Sequence, residues 1–247
     1  MGRIFAIGGG EIGYQGAPIE TTVIDIEIIK ATGKKHPNLL FLPTASGDAL
    51  GYCEQIEIHF GERLGCNVDS LLVYSSPTGD EMAHQVRSAD VIYVGGGNTL
   101  KMMQKWRQVG LDKLLTEAYQ EGTVLAGLSA GAICWFEYGS SDALKETDPS
   151  QPYILVEGLG LEKGLITPHF NKEAGRPESQ KELLAELDTV GIGIDERAAL
   201  EINDNEFRVI SADEKAGVTK SYWTDGEYQV TRLVASGYHE LEELYQT

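Results

Sequence analysis

The chain has 247 residues, 20 Lys plus Arg against 38 Asp plus Glu, and a formal net charge of −18. So acidic a chain offers no basic face for nucleic acid or an anionic membrane, and no apolar run reaches the roughly 20 residues of a membrane span. Its three cysteines, Cys53, Cys66 and Cys134, are widely spaced with no C-x-x-C pair, which argues against a disulfide framework or a cysteine zinc site and fits a reducing compartment.

Along the first half, short apolar runs alternate with helical patterns. Strands are expected at 3–7, 38–42, 68–74, 90–94 and 123–128, and helices at 19–32, 49–64, 80–87, 99–106 and 111–120. Near-continuous apolar strands separated by helices predict an α/β fold, a mostly parallel sheet flanked by helices. After residue 150 the pattern changes to shorter strands at 164–167, 190–194, 198–202, 206–210 and 228–233, with one helix at 178–187. Asn203-Asp204-Asn205 reads as a hairpin turn. This half is expected to add an antiparallel β-extension to the same sheet, within one domain spanning 1–247. The polar, proline-ended stretch 139–152 reads as a mobile surface loop near the site. The N-terminus enters a strand with no signal-like segment before it, so a cytoplasmic protein is expected.

Ligands of open parallel sheets bind beyond the carboxyl ends of the strands, and four unusual loops fall there. The most informative is Gly127-Leu128-Ser129-Ala130-Gly131, which fits G-x-S-x-G between an apolar strand and a helical run over 130–136. Such a turn needs small residues two before and two after the serine. It lifts the hydroxyl above the sheet edge, where free amides and a helix N-terminus can receive an oxyanion. Gly95-Gly96-Gly97-Asn98 follows the fourth strand. Bare glycine amides there suggest that Gly97 N–H and Ala130 N–H form an oxyanion hole; Asn98 caps the next helix, contacts substrate, or does both. Gly8-Gly-Gly-Glu-Ile-Gly13 matches G-x-G-x-x-G, but no helix opens at that turn and no acid ends the second strand. A glycine loop admitting backbone close to the site is therefore favoured over nucleotide binding.

A serine needs a base. Of the five histidines, His169 ends an apolar strand, with Pro168 holding Thr167 extended so that the imidazole projects from the strand end. The orienting carboxylate is Asp195 or Glu196, which strand alternation cannot separate, with Glu137 and Asp142 as weaker alternatives. Arg176 reads as a guanidinium fork for a substrate carboxylate or as a solvated loop charge. Cys134, five residues past the serine, reads as a small core residue.

Gly95-Gly-Gly-Asn98-Thr99, Gly127-Leu-Ser129-Ala-Gly131-Ala132 and Pro168-His169-Phe170, in that order, resemble the peptidase E (aspartyl dipeptidase) and cyanophycinase family of serine peptidases. The resemblance implies a fold similar to the class I glutamine amidotransferase core, which is flavodoxin-like, with Ser129 as nucleophile, His169 as base and an acid near Glu196 as third member. It implies cleavage of small aspartyl peptides without metal or cofactor, and by analogy a homodimer. Residues 143–161 and those after 200 look like additions, and only Arg176 stands where the family is often richer in arginine. An amidase or esterase acting through the same serine, and a non-catalytic binding protein of the same fold, are the alternatives.

Overall fold

Arg3–Ile7 (β1), Asn38–Leu42 (β2), Asn67–Ser70 (β3), Val91–Val94 (β4) and Val124–Leu128 (β5) form the parallel part of an eight-stranded sheet. They belong to a computed structural model that describes residues 2–13, 16–235 and 237–247. β1, β2, β4 and β5 are apolar on both faces because both are covered. Ile4, Ala6, Ile92, Val94 and Leu125 face one core, whereas Phe5, Ile7, Val91, Tyr93 and Ala126 face the other. Thr22–Ala31 (α1) and Leu50–Ile56 (α2) close the second core. Gly79–Ser88 (α3), Thr99–Val109 (α4) and Leu111–Glu121 (α5) lie with the first, through residues such as Met82, Met102, Trp106 and Leu115. α3 opens with a full capping box, Thr78 with Glu81, and α4 is capped by the Asn98 side chain on Lys101 N–H.

The third expected strand is shorter than 68–74: it ends at Ser70, and a single turn of 3₁₀ helix follows at Val73–Ser75. The helix expected after Ser129 is shorter still. Ala130–Ile133 (α6) makes one turn, and the chain re-enters a strand at Phe136–Ser141 (β6). Ile154–Glu157 (β7) pairs with it antiparallel.

The second half does more than extend the first sheet. Ala198–Asn203 (β10) and Glu206–Ser211 (β11) form the expected hairpin, with Asp204 at φ +52°, and β10 joins β1 antiparallel. His239–Glu240 (β14) borders β11. Glu162–Thr167 (β8), Gly191–Ile194 (β9), Val218–Thr224 (β12) and Glu227–Leu233 (β13) join β6 and β7 in a separate six-stranded sheet of order β13-β12-β9-β8-β6-β7. Arg176–Leu184 (α7) packs on this sheet. One core cluster runs from Ile4 and Val94 of the first sheet to Ile166, Ile192 and Val218 of the second. The strand ends carrying residues 129, 169 and 196 are thereby held against one another. Among the described residues no helix is long and apolar enough to cross a membrane.

Candidate active site

Ser129 has φ +57° and ψ −108°, a backbone state that non-glycine residues rarely occupy. Its amide donates to Ile7 O at 3.0 Å, while its carbonyl accepts from Ala132 and Ile133 N–H. The flanking glycines are steric necessities. A Cβ on Gly127 would lie 2.2 Å from Gly131 O, and one on Gly131 would lie 2.1 Å from Val94 O. The turn therefore closes only with glycine at both positions, and the side chain between them stands clear of the sheet.

His169 also has positive φ, +53°. Its amide donates to Gly8 O at 2.9 Å, and Phe170 N–H to Ile194 O at 3.1 Å. The Phe170 ring fills the space over Gly193, where a Cβ would come within 2.4 Å. These contacts seat the imidazole on the Gly8-Gly9-Gly10 loop, so closely that a Cβ on Gly9 would lie 2.5 Å from Nδ1. The favoured reading of that loop, backbone brought close to the site, matches this packing. Among the described residues the first α-helix is α1, which begins at Thr22.

The Ser129 hydroxyl lies 2.8 Å from His169 Nε2, and His169 Nδ1 lies 3.1 Å from Glu196 Oε1. With a carboxylate at Nδ1, that nitrogen carries the proton and the Nε2 lone pair faces the hydroxyl. The second carboxylate oxygen accepts from Lys172 Nζ at 2.8 Å, and Glu196 N–H donates to Asn171 Oδ1 at 3.0 Å. The turn after the histidine thus grips the acid at both backbone and side chain. Asp195 faces the other way: its Oδ2 accepts from Gly217 N–H and from Arg232. Glu137 accepts from Gly164 N–H, and Asp142 pairs with Arg176, so of the four acids only Glu196 touches the imidazole. A second histidine–carboxylate pair, His59 with Asp25 at 2.8 Å, is wholly buried and has Thr21 as its hydroxyl neighbour. Burial raises the Asp25 carboxyl above its usual range and pushes the Cys134 thiol well up. The Cys134 thiol donates to Gly131 O in the core, as a packing residue would.

A family model described as peptidase family S51 matches residues 4–210. The chain belongs to peptidase family S51. Among curated proteins, the uncharacterized peptidase YgaJ of Bacillus subtilis is 37% identical over 214 residues, which cover 86% of this chain and 88% of its own. A protein named peptidase E from Streptomyces coelicolor is 27% identical over 66% of this chain and 67% of its own. Among solved structures, a peptidase from an acI-B1 actinobacterium superposes with a TM-score of 0.70 at 26% identity, covering 97% of each chain. As a member of S51 the protein is a serine-type peptidase.

In this S51 peptidase Ser129 opens into a cleft of about 580 Å³, whose wall includes Gly97, Asn98, Lys101, Asp142 and Lys145. The amides of Gly97 and Ala130 have no acceptor among the described residues. Asn98 reaches the cleft with its polar atoms already engaged. Its Oδ1 caps α4, and its Nδ2 donates to Ala143 O and Glu146 Oε2, so it ties the 142–152 segment to the site. Arg176 departs from the expected substrate fork. Its side chain is 1% exposed, its guanidinium donates to Ser140 O and Glu173, and it stacks on Tyr153. It braces β6 and is absent from the cleft wall. The cations that do line the cleft, Lys101 and Lys145, escaped the sequence reading, as did Lys172. No motif marks them, because a lone lysine on a helix or loop reads as a solvated charge.

Proposed function

We propose that this S51 peptidase cleaves small peptides by covalent catalysis at Ser129. As His169 Nε2 takes the hydroxyl proton, Oγ attacks the peptide carbonyl carbon. Glu196 holds the imidazole and faces the positive charge it acquires, and the oxyanion is received by Gly97 and Ala130 N–H. His169 then returns the proton to the departing amine, leaving an acyl ester that water, deprotonated by the same imidazole, hydrolyses. The electrostatic help comes from the two amides, since α6 is a single turn. The observation that carries this reading is the continuous chain of contacts Oγ–Nε2 at 2.8 Å and Nδ1–Oε1 at 3.1 Å, together with the Gly97 and Ala130 amides, which have no acceptor among the described residues.

The substrate class we infer is short peptides with an acidic residue at the cleavage site. Support comes from Lys101 and Lys145 in the cleft wall of a chain that is otherwise strongly acidic. Lys101 is paired there with Glu146 at 2.8 Å and Lys145 lies over the Tyr153 ring, so an acidic side chain would share Lys101 with Glu146 and meet Lys145 directly. The test is hydrolysis of an aspartyl p-nitroanilide and of its leucyl counterpart. The aspartyl compound is turned over and Ser129→Ala abolishes the turnover; a Ser129→Ala protein as fast as the parent overturns the assignment.

A further inference from the structure

The loop Gly95–Asn98 carries four backbone amides, and three of them are bound within the protein. Gly95 N–H donates to Leu42 O at 3.1 Å, Gly96 N–H to the Tyr52 hydroxyl at 3.3 Å and Asn98 N–H to Ala45 O at 2.8 Å. Gly97, in the cleft wall with Ser129, is the one whose N–H has no acceptor among the described residues. Two of these tethers are carbonyls of the β2 end and the turn after it. The third is a side chain, and it holds the peptide immediately before the Gly97 amide.

Tyr52 lies in α2, and its ring packs against Phe41, centroids 4.9 Å apart. The same two rings explain Gly95, where a Cβ would lie 2.8 Å from Tyr52 Cε1 and 3.1 Å from Phe41 Cζ. Tyr52 does not line the cleft. Burial pushes its hydroxyl up to about 12, so it stays a neutral phenol with lone pairs to offer Gly96 across the neutral range.

From these contacts we infer that Tyr52 is a positioning residue for the oxyanion hole: by capturing Gly96 N–H it turns the next amide, Gly97 N–H, toward the oxygen that develops at Ser129. The inference rests on Ser129 being the nucleophile. A donor that points at the developing charge acts mainly in the transition state, so its misalignment lowers the rate of bond formation and leaves binding of the ground state almost untouched.

Tyr52→Phe removes the one oxygen and keeps the ring against Gly95 and Phe41. The probe is an alkyl fluorophosphonate, whose phosphonyl oxygen occupies the oxyanion position as Ser129 Oγ displaces fluoride. Inactivation is followed by intact mass and separated into a limiting rate and a half-saturating concentration. The limiting rate of Tyr52→Phe is expected to fall about tenfold with half-saturation within about twofold of the parent. Affinity for a reversible peptidyl boronic acid should fall by the same factor, and the melting temperature should stay within a few degrees. A limiting rate within about twofold of the parent overturns the role of Tyr52, as does a loss carried by half-saturation alone. If the parent acquires no adduct on Ser129, the nucleophile assignment fails first and the role of Tyr52 with it.

Discussion

A single methyl group at Gly9 should silence the site from beneath. Built on the backbone, it would sit 2.5 Å from His169 Nδ1, 2.6 Å from Cε1 and 3.1 Å from Glu196 Cγ. Carbon and nitrogen atoms at rest stand about 3.5 Å apart, so the imidazole must retreat by roughly 1 Å. The imidazole cannot move that far and keep both contacts, 2.8 Å to Ser129 and 3.1 Å to Glu196. A misplacement of about 1 Å typically costs on the order of 100-fold in turnover. The penalty to stability is that of local overpacking, about 1–3 kcal/mol, plus about 1–3 kcal/mol of backbone strain, because Gly9 lies at φ +156°. Gly9→Ala should therefore lose about 100-fold in kcat on an aspartyl anilide while still melting cooperatively, about ten degrees below the parent. A variant that keeps kcat within about threefold would show that the imidazole over Gly9 is not the working base.

The adjacent acids should separate cleanly: Glu196→Gln is expected to cut kcat by about 10²–10³, whereas Asp195→Asn loosens the tie to Arg232 and lowers the melting temperature with kcat nearly intact. Equal losses in the two variants would contradict the geometry. If Lys101 and Lys145 receive an acidic side chain, Lys101→Met combined with Lys145→Met should raise KM for the aspartyl anilide about tenfold and leave the leucyl compound unchanged. Glu162 supplies a test of pH and stability. Burial raises its carboxyl above the usual range, and Tyr119 and Tyr245 donate to its two oxygens. The folded state therefore holds this proton more tightly than the unfolded chain does. The stabilisation is complete below the unfolded value, near 4.5, and is lost as the pH rises through the raised one. In urea titrations from about pH 4 to pH 7, Glu162→Gln should gain on the parent as pH rises, and a constant difference would refute it.

The parallel strands and the positions of Ser129 and His169 were legible because each leaves a local mark. β1, β2, β4 and β5 are unbroken apolar runs. The elbow needs its two glycines, and Pro168 fixes the approach to His169. What failed was decided by tertiary packing. Residues 130–136 carry no helix breaker beyond Gly131, yet the helix stops after one turn because Phe136–Ser141 is taken up between β7 and β8. Asp195 and Glu196 are equivalent in sequence. They part only because Arg232, contributed by β13 well downstream, claims the first, and the turn carrying Asn171 and Lys172 claims the second. Arg176 resembled a ligand fork because its partners Ser140, Glu173 and Tyr153 meet only in the folded chain.

The most direct test of the Ser129–His169–Glu196 assignment is a peptide map of the protein after treatment with a fluorophosphonate. The adduct should fall on Ser129 alone in the parent and form about 10³ times more slowly in His169→Ala. Modification of another residue, or labelling of Ser129 at the parental rate without the imidazole, would contradict it.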